Sequence, residues 1–230
     1  QLFDMLHSMR QFDDLTYVHS VNVALIASIL GQWLKFSEKD IRILTISGLL
    51  HDIGKIMIPN EILTKPGKLT VAEYNIMKQH VNFGYEKVKN QNIDIRIKEA
   101  CLLHHEKCDG TGYPFGLKSD HIPAVAKIIA IADVYDAMTS ARVYRGALCP
   151  FEVIDTMYKD AFTKFEPEYI LPFLKNVASS YINNDVRLSD GRIGKVVLIN
   201  ENALSLPIVQ CEDEFIDLSK TRELTVSAIL

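Results

Sequence analysis

Two pairs of neighbouring residues, His51-Asp52 and His104-His105, concentrate side chains that can do chemistry. His51 and Asp52 follow the apolar stretch of Ile41, Leu44, Leu49 and Leu50, where a charge is costly to bury unless something compensates it. His19 and His80 fall on two further stretches of helical character, and Asp133 lies inside the apolar run IIAIADVYDAM. A lone histidine on an apolar face is usually a hydrogen-bonded core residue. Five histidines and two aspartates on inward-facing stretches of successive helices mean more, because helical bundles build metal sites from side chains of facing helices. Imidazole nitrogens and carboxylate oxygens suit Fe, Mn, Zn or Co, and no thiolate calls for a softer metal. A carboxylate such as Asp52 can bridge two ions through its two oxygens. Two metals roughly 3.5–4 Å apart lower the pKa of a bridging water and stabilise both oxygens of an in-line phosphoryl displacement.

The run HDIGK adds a cation to this set. On a helix Lys55 lies four residues from His51 and three from Asp52, on the same face, where its ammonium can meet a phosphate lying on the metals.

The elements that must position these side chains read as helices from about residue 14 to 180. Val18, Val21, Leu25, Ile26 and Ile29 recur at helical spacing, and Gly31 offers a stop. Ser37, followed by Glu38 and Asp40, marks a helix entry that leads to His51. After a loop at Pro59, Pro66 and Gly67, Thr70 and Glu73 form a capping-box pattern that opens a helix expected to carry His80. A helix from about Ile95 to His105 and the loop CDGTGYPFGLKSDHIP follow. Helical periodicity resumes from Ala124 through Ile128, Ile131 and Tyr135, with a further helix after Pro150. Beyond about Asp185 the runs VRLSDGRIGKVVLIN, PIVQ and EFIDL are short and β-rich, with a hairpin turn at SDGRIG. The expected domains are a helical one over 1–184 and a small β-rich extension over 185–230, which packs on the helices or forms a small barrel and serves a structural or regulatory role.

Composition bounds the function. Of 230 residues 48% are hydrophobic and 23% charged, the balance of a soluble globular protein. The net charge of −4 provides no general basic field for a long nucleic acid, so phosphate recognition must be local. No uninterrupted apolar run reaches the ~18 residues of a membrane span, and the start lacks a signal-peptide pattern. It also lacks an initiator Met, so a domain excised from a longer protein is the expectation, with an upstream sensor domain or a homodimer compatible with it. Cys101, Cys108, Cys149 and Cys211 sit at no metal or disulfide spacing and read as free thiols in a reducing cytoplasm.

HDIGK, HHEKCDGTGYP and IADVYDAMTSARVYR, in this order and spacing, resemble the HD-GYP family, a branch of the HD phosphohydrolase superfamily. The similarity runs from about Thr16 to Phe173. It implies a mainly α fold, an HD-domain helical bundle with a small C-terminal β-rich appendage, and hydrolysis of cyclic di-GMP to pGpG and/or GMP by a metal-bridging hydroxide. Carried over by position, His19, His51, Asp52 and Asp133 resemble the first metal site. His80, His104 and His105 resemble the ligands of a second ion, with Asp52 bridging. The resemblance has Lys55 bind a phosphate oxygen and stabilise developing negative charge.

In Gly112-Tyr113-Pro114, glycine lets backbone approach a ligand closely, and Tyr113 can present a ring or hydroxyl near the bases. Asp136, Thr139, Arg142 and Arg145 follow Asp133 at spacings of three. The resemblance places Arg142 and Arg145 at substrate phosphates, where a guanidinium matches two oxygens. Some relatives hold a third metal with a Glu one turn before the first histidine. Leu15 stands there, so two divalent ions, Fe or Mn, are expected. Two other readings remain: a phosphodiesterase for a related cyclic dinucleotide such as cyclic GMP-AMP, and a non-catalytic module that binds the nucleotide or a partner protein. A full set of ligand positions favours an enzyme.

Overall fold

The computed structural model describes residues 9–10, 13–140, 146–221 and 223–230. His7, Arg142 and Arg145 lie outside the described residues. The chain divides into two compact units, Gln1–Ala137 with Thr163–Glu166, and Met138–Phe162 with Pro167–Leu230. The expected boundary at 184/185 differs from this division, which groups the last two helices with the sheet.

In the first unit, α1 (Asp14–Trp33) is capped by Asp13, whose carboxylate accepts from the Leu15 and Thr16 amides. Asp13 is thus committed to the helix start. Gly31 does not stop this helix. A Cβ there would lie 2.8 Å from Leu44 Cδ1, so the glycine serves close packing. The helix closes after Leu34 instead, with Lys35 at φ 58 and two backbone bonds, Lys35 N–H to Gln32 O and Phe36 N–H to Gly31 O. That is a Schellman ending, with lysine where glycine is usual.

The buried face of α1 also differs from its largest apolar residues. Val18, Leu25 and Ile29 are exposed, whereas Ser20, Val23, Ala24, Ala27 and Leu30 are buried. The reason is backbone proximity to α2 (Glu38–Leu50), where a Cβ on Gly48 would fall 2.5 Å from Ala24 Cα. Only small residues fit there. By length and composition α1 is apolar enough to cross a membrane, although polar residues such as His19, Ser20 and Asn22 interrupt its apolar run. Its buried face and the buried His19 are those of a core helix.

Ser37 caps α2 as expected, accepting from the Asp40 amide. A 3₁₀ turn, Ile53–Met57, and the short α3 (Asn60–Leu63) follow. The Thr70–Glu73 capping box is present and opens α4 (Val71–Met77). His80 is not on that helix; it begins a separate one, α5 (His80–Val88). Then come α6 (Ile95–Leu103), a 3₁₀ turn at Ser119–His121 that leaves His121 exposed, and α7 (Ala124–Thr139).

The second unit holds α8 (Pro150–Asp160), α9 (Pro167–Ser180) and five strands: β1 (Asp185–Leu188), β2 (Ile193–Leu198), β3 (Ile208–Cys211), β4 (Glu214–Asp217) and β5 (Val226–Ile229). They form an open antiparallel sheet in the order β4-β3-β2-β1-β5, not a closed barrel. The expected hairpin joins β1 to β2, with Gly191 at φ 92 and the Asp190 carboxylate accepting from the Arg192 amide.

Candidate metal centre

All the expected ligands lie in the first unit, mostly at helix ends. His19 sits in α1, while His51 closes α2 and Asp52 follows it. His80 opens α5, His104 closes α6 with His105 next, and Asp133 lies in α7. The approach of α5 to Asp52 depends on Gly54. A Cβ there would stand 1.9 Å from His80 O and 2.4 Å from Gly84 N, so only glycine lets the 3₁₀ turn lie on α5.

The side chains converge in two groups that share Asp52: His19, His51 and Asp52, and Asp52, His80, His104 and His105. The candidate ligand atoms within each group lie within 4.8 Å of one another. The two Asp52 oxygens divide the groups between them. Oδ2 lies 3.3 Å from His51 Nε2 and 3.7 Å from His19 Nε2. Oδ1 lies 3.3 Å from His80 Nε2 and 3.9 Å from His104 Nε2. Asp133 borders both, with Oδ1 3.0 Å from His19 Nε2 and Oδ2 3.8 Å from His105 Nδ1.

The tautomers follow from the backbone. Nδ1–H of His51 donates to Gly48 O at 2.7 Å, that of His80 to Met77 O at 2.8 Å, and that of His104 to Ala100 O at 2.9 Å. A carbonyl only accepts, so each Nε2 of a neutral ring keeps its lone pair facing Asp52. This is how ligating histidines are held for metal. His51 Nε2 and Asp52 Oδ1 are buried without a hydrogen-bond partner among the described residues, and His80 and His104 Nε2 face each other at 3.4 Å. Orphaned buried polar atoms of this kind are costly. Divalent metal fits this donor set of imidazoles and carboxylates and would satisfy those atoms.

Charge is arranged to match. Burial opposes ionisation of Asp52, yet the Lys55 ammonium and His51 hold its carboxyl well below the usual carboxylate range. Asp133 is held low likewise, against burial, by His19 and His105. Burial pushes His105 down to about 3 and His104 well below its ordinary value. His19 is the exception. Burial disfavours its charge, but hydrogen bonds to Asp133 and Asp136 prevail and raise it to about 9.

The remaining expected residues fall as follows. Lys55 lies on a 3₁₀ turn, not an α-helix, so its three-residue relation to Asp52 is the one that counts. Its ammonium pairs with Asp52 Oδ2. Asp136, expected at substrate, is buried behind His19. One oxygen accepts from His19 Nδ1 at 2.6 Å and the other from the Asn22 amide at 2.9 Å. Tyr113 stacks on His105 with centroids 4.7 Å apart, and Gly112 and Pro114 flank it half-buried. Thr139 is half-buried at the end of α7. Leu15 is exposed. The four cysteines are free, and burial pushes Cys101 up to about 12. Gly54, Asn22 and Glu106 are site residues that sequence reasoning missed.

Comparison with known proteins gives the family and the fold. The family model described as HD domain matches residues 5–169. A cyclic di-GMP phosphodiesterase of Pseudomonas aeruginosa is 36% identical over 203 residues, 88% of this chain and 49% of that protein. A 3'3'-cGAMP-specific phosphodiesterase of Vibrio cholerae is 36% identical over 158 residues, 67% of this chain and 30% of that protein. The chain thus spans at most about half the length of these relatives. Among solved structures, the HD domain of the L. monocytogenes phosphodiesterase PgpH, in complex with cyclic-di-AMP, aligns with a TM-score of 0.59 at 18% identity, covering 77% of this chain and 95% of that one. With the match spanning most of the helical region and five histidines grouped around Asp52, this chain belongs to the HD-domain family, and its three motif blocks set it in the HD-GYP branch.

Proposed function

We propose that this chain is a metal-dependent phosphodiesterase that hydrolyses cyclic di-GMP to pGpG and/or GMP in the cytoplasm. The observation that carries the reading is the division of Asp52, with one carboxylate oxygen toward His19 and His51 and the other toward His80 and His104. Two ions, iron or manganese, would be held by His19, His51, Asp52 and Asp133 and by Asp52, His80, His104 and His105, and would supply an activated water and positive charge against the phosphate oxygens. Asp52 and Asp133 are ionised well below neutral pH and need no deprotonation before binding. Lys55, half-buried beside Asp52, turns its ammonium toward a phosphate oxygen and stabilises charge that develops there. Arg142 and Arg145 are assigned to the substrate phosphates. Thr139 is assigned to the substrate side with them. The Gly112-Tyr113-Pro114 loop borders the second group through the Tyr113 ring.

The relative named as a cyclic di-GMP phosphodiesterase supports the substrate, and the relative named for 3'3'-cGAMP makes that dinucleotide the second reading. A non-catalytic binding module has no comparable support, since no ligand position is lost. Protein prepared without oxygen and loaded with Fe(II) or Mn(II) decides among these when it is offered both dinucleotides in competition. Release of pGpG or GMP from cyclic di-GMP is expected. Preferential cleavage of cyclic GMP-AMP would move the assignment to that substrate, and a fully loaded sample that left both intact would sink the enzyme reading.

A further inference from the structure

Glu106 follows the two ligand histidines and is only 4% exposed, without an ion pair among the described residues. A buried carboxylate is costly unless hydrogen-bonded. This one accepts from the Phe115 amide at 2.7 Å and the Leu117 amide at 2.9 Å. Both donors belong to the loop that carries Gly112-Tyr113-Pro114. The same loop is tied to the ligand segment by Tyr113 N–H to His105 O at 3.2 Å. A Cβ on Gly112 would lie 2.5 Å from both Glu106 Cα and His105 O, so the loop backbone rests directly on the ligand segment.

His105 needs this support more than the other ligands do. His51, His80 and His104 are each anchored through Nδ1 to a carbonyl, and His19 to Asp136. His105 has neither ring nitrogen hydrogen-bonded among the described residues, and its side chain is 26% exposed against 8% or less for the others. Its ring meets His104 at 4.2 Å and His80 at 5.0 Å in tilted and edge contacts, and Tyr113 is its stacked partner, at 4.7 Å and 28°. We infer that Glu106 is a positioning residue for His105, clamping the loop so that Tyr113 keeps the imidazole aimed at the second ion.

The inference rests on the two-ion reading, and stepwise metal titration of the apoprotein separates the two. In Glu106→Gln the amide keeps one acceptor and sets a donor against a donor. The second equivalent of Mn(II) should weaken about ten- to a hundredfold, the size of a lost supporting contact, with the first unchanged. Tyr113→Leu should do the same, and Tyr113→Phe, which keeps the ring, should restore two-ion binding. Tyr113→Leu carries the test if Glu106→Gln does not fold. Wild-type affinity for both ions in Tyr113→Leu or in folded Glu106→Gln would overturn the inference and leave the two-ion reading standing, whatever the loss in Tm. A wild-type protein that takes up one ion only would overturn both.

Discussion

The two sides of Asp52 are prepared for metal in different ways. On the His19 side carboxylate dominates: Asp52 and Asp133 face the ring and Asp136 stands behind it, so His19 carries a proton until about pH 9. On the other side His80, His104 and His105 bring imidazoles alone, with Asp133 reaching His105 only at 3.8 Å. Burial lowers the pKa of all three, so they are neutral ligands at pH 7. A divalent cation gains more from carboxylates than from neutral rings. On the two-ion reading, the ion on the His19 side should therefore bind tighter but displace a proton, and the ion on the other side should bind weaker without one.

Changes on each side break or sharpen this contrast. Asp52→Ala abolishes it, because both groups lose their common anion. Turnover should fall by roughly a thousandfold or more, and elemental analysis should find neither ion. Gly54→Ala acts on the His80 side, since the added methyl collides with His80 O and the backbone must move. Thermal unfolding should show a loss of about 1–3 kcal/mol, typical of overpacking, with the second ion lost and the first kept. Asp136→Asn acts on the His19 side, weakening the first ion about ten- to a hundredfold in a metal titration. An equal loss at both sites would contradict the contrast.

The smallest effect is with pH. A raised pKa keeps His19 protonated below about 9, so the first ion releases about one proton at pH 7 and binds about tenfold tighter per unit as pH rises toward 9. The second ion shows no such dependence from pH 7 to 9. Calorimetry in buffers of different ionisation heat measures both.

The candidate ligands were legible as a set because metal chemistry demands particular side chains, and the structure brings the histidines together around Asp52. The groups that aim those ligands were less legible. The acceptors behind His51, His80 and His104 are carbonyls, which every residue has. Asp136 reads as a neighbour of Asp133, yet its partner His19 is 117 residues away in the chain. Glu106 did carry a signal, an acid directly after two ligands and ahead of a glycine-rich loop with amides to spare. The caps at Ser37 and Thr70 were readable because they are local, as was the β1–β2 turn. The role of Gly31, the buried small-residue face of α1 and the pairing of β5 beside β1 were not, since tertiary neighbours set all three.

The most direct test follows metal uptake and cyclic di-GMP hydrolysis together on one oxygen-free sample, adding Fe(II) or Mn(II) in steps to the apoprotein. Hydrolysis should stay near zero through the first equivalent and rise with the second, reaching its maximum at two ions per chain. Full turnover at one ion per chain, or two bound ions with no hydrolysis, would contradict a shared two-ion centre as the seat of the reaction.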